Sequence, residues 1–487
     1  MRMAVSDSGL LRFRGLAALV VGRLTQAVLA LGLLKLMTNR LSKTEVAHFY
    51  FIVATTTWFL LLMVNPVGQW ANRHIHEWRI KYSWSSILSK HIFFYGLITI
   101  IGVLVAVGVN TLFGLDENLS PIVLGVGVAG GISLQSLYQQ VCGLQNLLGA
   151  RVQYSILIAV GQLVIFAAAC CVFFIPNPTV LHWFSLLFIG HAFALMLFLV
   201  FLRKQFTPGM PNARASELLP WHGFLTFCLP IVGVTIAVWV QTQGYRIILS
   251  ASGNLQLLAL MGVGLGMASS LGGTLESLIQ QYLTPDYYKS LTDKSVDHAD
   301  IWRKMFAKVL ICLAVACLAL FCFGHIVLRI LTSEAYLSGQ RFVRWGAAIE
   351  FFRILGNFVY LNYIGEKRIM RAVPAYLFGA VVTVIFYGLS FVFPAQAETS
   401  ILLALLLGNI SNFVLQLWIM RRETKWRPPV RPLIFAVCLC LPYALGFLVP
   451  ANIGIVKLLF VLIAAGLYTL FVGWRLLPYL STRKITA

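Results

Sequence analysis

Charged and amide side chains lie inside long apolar stretches of this 487-residue chain, where polar chemistry is unusual. Arg23 stands one helical turn before Gln26 in the first apolar stretch, and Gln241 and Arg246 lie toward the end of another, over 223–248. A charged residue inside a membrane segment is costly, and it usually faces the protein interior or a water-filled cavity. These residues therefore predict an internal site for an anionic group.

A second group of charges lies in a later apolar stretch. Arg341 and Arg344 come first, and Glu350 and Arg353 follow, three residues apart. Residues three apart share one face of a helix, so Glu350 and Arg353 are predicted to form an ion pair. Apart from Glu350, only Glu276 is an acid well inside an apolar stretch. Glu350 and Glu276 are thus the candidates for binding a coupling ion.

Two interpretations of these charges remain open at this point. In the structural one, buried charges pair with each other and fix the register of the helices. In the functional one, the excess of arginines lines a cationic cavity, because guanidinium groups bind phosphate oxygens through charge-assisted hydrogen bonds. We favour the second interpretation and predict no catalytic residues. The predicted substrate-binding set is Arg23, Gln26, Gln241, Arg246, Arg341, Arg344 and Arg353.

The elements that must position these residues are membrane helices. The chain is 59% hydrophobic and only 11% charged, a composition that a soluble domain could not bury. We therefore predict an all-α, polytopic membrane protein with about fourteen transmembrane helices. The predicted spans are 15–37, 48–69, 91–114, 119–141, 152–174, 180–202, 223–248, 255–280, 305–331, 338–363, 372–393, 399–420, 431–450 and 453–474.

Basic residues alternate between the connecting loops. Of the 37 Lys and Arg residues, 26 fall at the termini and in every second loop, whereas the other loops carry mainly acids such as Asp116, Glu117, Glu334 and Glu398. Lys and Arg are retained in cytoplasmic loops, so both termini are predicted to be cytoplasmic. The net charge of +21 is then a consequence of topology, and nucleic acid is not an expected partner.

Several other kinds of site are excluded by spacing. The run that contains Gly262, Gly264 and Gly266 lies inside a predicted span without a preceding strand, so it is a helix-packing pattern and not a dinucleotide fingerprint. The nine cysteines have neither disulfide-framework nor zinc-ligand spacing. His74 and His76 stand beside basic residues in a predicted loop. We expect no metal and no cofactor.

At the level of longer segments, the chain resembles a known family. The resemblance is carried by LLKLMTNRLSKTEVAHFYFIV (33–53), NPVGQWANRHIHEW (65–78), WVQTQGYRIILSASG (239–253), LTSEAYLSGQRFVRWGAAIEFFRILGN (331–357) and GEKRIM (365–370). In their order, and in the number of spans around them, these segments look like the polysaccharide and O-antigen flippases. That family is part of the multidrug/oligosaccharidyl-lipid/polysaccharide exporter superfamily.

The resemblance implies two pseudo-symmetric six-helix lobes with two flanking C-terminal helices. It divides the chain into an N-terminal lobe (1–202), a cytoplasmic linker (203–222), a C-terminal lobe (223–420) and a last part (421–487). It also implies a bacterial inner-membrane location and an undecaprenyl-pyrophosphate-linked oligosaccharide moved by alternating access. Members engage the pyrophosphate through cationic residues on the first and on the seventh or eighth helices.

Arg23 and Arg246 match that pattern, although the eighth span, 255–280, has no Lys or Arg. The partners implied are the lipid-linked glycan, membrane lipids, and downstream polymerase and chain-length proteins. Two alternatives remain. One is an ion-coupled drug or cation antiporter of the same superfamily, in which acids would dominate the cavity. The other is a membrane polysaccharide polymerase or ligase, which would need a long outer loop that this sequence lacks.

Overall fold

The computed structural model describes most of the chain, and all of its regular structure is helical. The described residues are 4–148, 151–204, 221–290, 298–365, 368–424, 430–449 and 454–480. They contain no strand, and helix accounts for 93% of the structure. In a lipid environment a helix satisfies its own backbone hydrogen bonds, which is why so apolar a sequence folds in this way. The all-α prediction is confirmed.

The chain divides into two compact units, residues 1–259 and 260–487. The helices of the first unit are α1 (Ala4–Arg40), α2 (Lys43–Phe59), α3 (Asn65–Lys81), α4 (Trp84–Phe113), α5 (Pro121–Gly130), α6 (Ser136–Leu147), α7 (Arg151–Cys170), α8 (Val180–Arg203), α9 (Trp221–Thr242) and α10 (Gly244–Ala251). Within this unit, α1 packs on α7, α7 on α8, and α10 on α2.

The second unit begins within a long helix, α11 (Leu255–Ser290). It continues with α12 (His298–Leu331), α13 (Gln340–Gly365), α14 (Val373–Val392), α15 (Ala397–Thr424), α16 (Val430–Cys440) and α17 (Ile455–Leu480). Here α14 packs on α15, and α13 packs on both α12 and α15. The division into lobes that the resemblance implies stays a prediction.

Among the described residues, 13 helical segments are long and apolar enough to cross a membrane. The remaining predicted span corresponds to α13, which has 26 residues and is therefore about 39 Å long. This helix is long enough to cross a membrane but not apolar enough, because it carries the charged residues Arg341, Arg344, Glu350 and Arg353. The protein is a multi-pass membrane protein.

The predicted span over 223–248 is present as α9, but its last residues are separated from it, because the helix is interrupted before Arg246. The Gln243 amide donates to the Trp239 carbonyl at 2.7 Å and closes α9. The Arg246 amide then donates to the Gln243 carbonyl at 3.0 Å and opens α10. Gly244 follows the break and adds no side chain to the tight turn. Arg246 consequently lies on a separate helix of 8 residues.

Two of the longest segments between the predicted spans are largely helical. In 70–90, α3 continues to Lys81 before the chain turns at Tyr82. In 281–304, α11 continues to Ser290, and α12 begins at His298. Polar residues do not by themselves prevent helix formation, so these helices continue beyond their most apolar stretches. The third such segment, 203–222, lies mostly outside the described residues.

A π turn at Leu60–Val64 joins α2 to α3, and a second at Gly131–Gln135 joins α5 to α6. Glycines in and next to the second turn allow close packing. A Cβ atom at Gly131 would lie 2.5 Å from the Thr56 methyl group, and one at Gly127 would collide with Ile52. Both neighbours belong to α2, so the absence of side chains on α5 and its π turn allows α2 to approach closely.

Candidate functional site

Arg246 is a buried cation held between aromatic rings. It is 7% exposed. Its Nε donates a hydrogen bond to the Tyr245 hydroxyl at 3.1 Å. The guanidinium carbon lies 4.9 Å from the ring centroid of Tyr50, on α2, and 5.5 Å from that of Tyr245. Cation–π contacts of this kind contribute up to about 2 kcal/mol when they are desolvated.

No carboxylate lies within ion-pair distance of Arg246 in the part of the chain that the structure describes. Among the described residues, its guanidinium contacts two tyrosine rings and donates to one hydroxyl. A guanidinium has five N–H donors in a planar fork, and this one directs its Nε–H to Tyr245. The remaining donors suit bidentate binding of a phosphate.

A buried polar network lies one turn further along α10. The Ser250 hydroxyl donates to Oδ2 of Asp116 at 3.0 Å, and Nδ1 of His48 lies 2.9 Å from the same oxygen. Asp116 is 3% exposed, and His48 and Ser250 are similarly buried. The network therefore joins α10, α2 and the turn after α4.

The backbone of Asp116 is fixed by Asn110, in the last turn of α4. The Asn110 Oδ1 accepts the Asp116 amide at 2.9 Å, and its Nδ2 donates to the Asp116 carbonyl at 3.2 Å. Gly114 ends α4 in the left-handed region, with φ of 59°, and its amide donates to the Asn110 carbonyl. A residue with a side chain rarely adopts that conformation, so Gly114 makes the reversal possible.

This network was missed from the sequence, in which Asp116 is only an acid in a loop. No spacing rule links positions 48, 116 and 250. Only the pairing of Asn110 with a nearby glycine suggests a structured turn at this point.

Arg23 lies on α1 and is half-buried. Its Nη1 donates to Oε1 of Gln26 at 2.7 Å, the neighbour expected from the spacing of three. Its Nη2 donates to the hydroxyl of Tyr154, on α7, at 2.8 Å. The two helices are close, since a Cβ atom at Gly22 would lie 3.0 Å from the Ser155 carbonyl oxygen. Arg23 thus bridges α1 and α7.

The second unit contains an ion-pair cluster on α11 and α13. Arg353 Nη2 lies 2.6 Å from Oε2 of Glu350, which confirms the predicted pair. The same nitrogen lies 3.0 Å from Oε2 of Glu276, on α11, a partner that the sequence did not identify. Asn357 Nδ2 donates to the other oxygen of Glu276 at 2.8 Å. Two carboxylates therefore share one guanidinium.

Counted as ionised groups, this cluster has one more negative than positive charge. Its edge is polar, because the Tyr376 hydroxyl donates to Oδ1 of Asn357 at 3.4 Å and Gln280 donates to Glu276 at 3.2 Å. Such a cluster suits a proton or a monovalent cation, either of which would neutralise the excess charge. No group of three metal-binding side chains occurs among the described residues.

The other predicted site residues do not join this cluster. Arg341 pairs with Glu398 at the start of α15, and its side chain is 58% exposed. Arg344 lies over the ring of Phe447, 4.9 Å from its centroid. Arg341 precedes Arg353 by about 18 Å along α13 at the rise of an α-helix. Gln241, in the last turn of α9, is buried.

No protein-family model matches this sequence, and no curated protein matches it. Several solved structures are similar to the chain in fold. The lipid II flippase MurJ, in an inward closed conformation, superposes with a TM-score of 0.69 and 12% identity, over 93% of this chain and 97% of that one.

Two further solved structures are similar over most of their length. A MOP superfamily transporter from Pyrococcus furiosus has a TM-score of 0.53 and 12% identity, over 85% of this chain and 96% of that one. The eukaryotic MATE transporter AtDTX14 has a TM-score of 0.50 and 13% identity, over 84% and 95%. Identities this low indicate a shared fold. The chain therefore shares its fold with these solved structures.

Proposed function

We propose that the protein is a flippase, which carries a polyprenyl-pyrophosphate-linked oligosaccharide across the bacterial inner membrane by alternating access. The substrate class is an O-antigen or a related repeat unit of a surface polysaccharide, and the protein acts as a transporter without catalysing a reaction. One observation carries the proposal: Arg246 is buried in a membrane protein of this fold, and no described carboxylate lies within ion-pair distance of it.

The chemistry of the substrate fits such a residue. A pyrophosphate diester carries about two negative charges, and a planar guanidinium binds its oxygens bidentately. An arginine without an ionic partner is costly inside a membrane, and an arriving pyrophosphate would offset that cost. Arg23 is the second proposed contact, with Gln26 beside it. The MurJ match is compatible with this substrate class, since that protein is a flippase for lipid II.

The test is surface glycan display in a deletion strain complemented with variants, with membrane abundance measured in parallel. Arg246→Ala should lower display by tenfold or more at normal abundance, because the charged contact to the substrate is lost. Arg246→Lys should restore display only in part, because the charge remains and the planar fork does not. Lys81→Ala is the control, since that basic residue lies outside the proposed site, is exposed and is paired with Glu77 on the same helix. Full display from an Arg23→Ala, Arg246→Ala double variant would refute the proposal.

The sugar itself requires a separate measurement. Deleting the gene should cause one lipid-linked glycan to accumulate on the cytoplasmic leaflet. Mass spectrometry of the extracted lipids would identify its repeat unit. Unchanged lipid-linked glycans in the deletion strain would argue against any flippase role.

Ion coupling is proposed for the cluster of Glu276, Glu350 and Arg353. Its excess negative charge would attract a proton or Na⁺, and binding would weaken the hold of the carboxylates on Arg353. The same cluster is the observation that favours the second candidate function, a cation antiporter. Proteoliposomes distinguish the two: a flippase moves a fluorescent polyprenyl-pyrophosphate glycan, whereas an antiporter moves an organic cation against a proton or Na⁺ gradient.

The proposed orientation places both termini and the 281–304 segment in the cytoplasm, in line with the distribution of Lys and Arg. It is tested by single-cysteine labelling in a background without the nine native cysteines. A cysteine at position 298 should be protected in intact cells and labelled in inverted vesicles. Labelling of that position from outside would reverse the topology.

A further inference from the structure

We propose that Asp116 is a positioning residue for Arg246 and acts on it through Ser250. Asp116 contacts Ser250 on α10, and Ser250 lies one turn after Arg246 on the same short helix. This inference deepens the proposed function and depends on it for the role of Arg246.

The helix α10 depends on its neighbours for its orientation. It has 8 residues, and isolated helices of that length are unstable. Before it the backbone breaks at Gln243, and after it Gly253 takes a positive φ of 70°. Neither flanking segment continues the helix, so contacts from its own side chains must determine where Arg246 lies.

Two residues of α10 that make such contacts, Arg246 and Ser250, are four positions apart and therefore lie on one face of the helix. Arg246 lies over the ring of Tyr50, and Ser250 donates to Asp116, which also contacts His48. His48 and Tyr50 are two residues apart on α2. The face of α10 that carries Arg246 is thus held to one short stretch of α2, directly by a ring and indirectly by a carboxylate.

Asp116 is suited to such a role because it is itself immobilised. Asn110 bonds both its amide and its carbonyl, so its backbone cannot easily shift. Its carboxylate is buried, and hydrogen bonds to a charged acceptor are stronger than those to a neutral one. Oδ2 of Asp116 is directed at both Ser250 and His48.

The first arm of the test measures α10 without any substrate. Hydrogen–deuterium exchange is followed in the purified full-length protein, in peptides that cover residues 244–251. Ser250→Ala should accelerate exchange there by about tenfold, the effect of losing one hydrogen bond to a charged group. The control is Ser390→Ala, a buried serine that bonds to the carbonyl of Tyr387 in its own helix. Its exchange at 244–251 should match that of the wild type. Unchanged exchange in Ser250→Ala would overturn the inference.

The second arm measures binding of geranyl pyrophosphate, a short-chain probe of the same chemistry. Ser250→Ala should raise Kd about fivefold, whereas Ser390→Ala should not change it. In an Arg246→Ala background, Ser250→Ala should add less than about a twofold effect, because Ser250 acts only through Arg246. A full additional fivefold loss would overturn the inference.

Failure of the proposed function is recognised separately. If Arg246→Ala binds the probe and supports glycan display as the wild type does, the flippase proposal fails at this residue. In that case only the hydrogen–deuterium exchange rate at 244–251 tests whether Asp116 and Ser250 hold α10 in place. Faster exchange supports that part of the inference, and unchanged exchange refutes it.

Discussion

Arg246 and Arg353 are both arginines within helices of a membrane protein, yet they are balanced in opposite ways. Arg246 lies between two tyrosine rings, and no carboxylate among the described residues is within ion-pair distance of it. Arg353 lies between two carboxylates, those of Glu276 and Glu350. The first site has excess positive charge and the second has excess negative charge. Their ligands should therefore differ in sign.

Because of this difference, the two arginines should contribute differently to the stability of the fold and to substrate binding. Removing one member of a buried ion pair leaves its partner charged and unpaired, which is strongly destabilising. Removing a buried charge that has no ionic partner leaves no such orphan behind. We therefore expect the folded state to depend on Arg353 and substrate binding to depend on Arg246.

The largest effect is expected from Arg353→Met, which keeps much of the side-chain volume and leaves two carboxylates uncompensated. It should lower the free energy of unfolding by about 3–5 kcal/mol, the usual cost of breaking a buried pair. Thermal denaturation of the purified protein and its membrane abundance would both report the loss. Arg341→Met is the control, because a largely exposed pair contributes at most about 1 kcal/mol. Equal stability of the two variants would show that the buried ion pair contributes no more to the free energy of unfolding than the exposed one.

A neutralised cluster should recover much of that loss. The triple variant Glu276→Gln, Glu350→Gln, Arg353→Met leaves no charge in this cluster, and replacing a complete buried ionic group is often neutral for stability. We expect its melting temperature to return most of the way to that of the wild type. If the acids bind a coupling ion, transport should remain absent in this stable variant. Transport that returns together with stability would show the cluster to be purely structural.

The smallest effect is expected from Arg246→Met. It loses one hydrogen bond and two cation–π contacts, and it gains from no longer burying a charge. The net change in the free energy of unfolding should stay within about 1 kcal/mol. The measurement is the same thermal denaturation used for Arg353→Met. A loss as large as that of Arg353→Met would mean that Arg246 stabilises the fold, and the contrast between the two sites would disappear.

Local pattern was enough to predict the helices and one ion pair. Apolar stretches of about twenty residues define membrane helices almost by length alone, which is why the all-α fold was predictable. The bond between Glu350 and Arg353 followed from a spacing of three on one helix. Even α13, the least apolar of the predicted spans, was identified, because its charges fall on an otherwise apolar stretch.

Tertiary contacts were the part that sequence could not supply. Glu276 joins Arg353 across 77 positions of the chain, and Asp116 joins Ser250 across 134. Neither pair has a periodicity that would reveal it. The break at Gln243 was also missed, because the residues on both sides are apolar enough to suggest one helix. Of these missed features, the break has the largest effect on the site, since it places Arg246 on a separate helix.

The π turn at Leu60–Val64 affects how this region tolerates changes of length. A π turn contains about one residue more than an α turn, so deleting one residue there would convert it to a regular turn. The residues on either side would keep their orientation toward the neighbouring helices. One of them is Gly68, whose carbonyl accepts a hydrogen bond from Gln140. A deletion elsewhere in α2 or α3 would rotate everything after it by about 100°. A single deletion should therefore be accepted at 60–64 and rejected on either side of it.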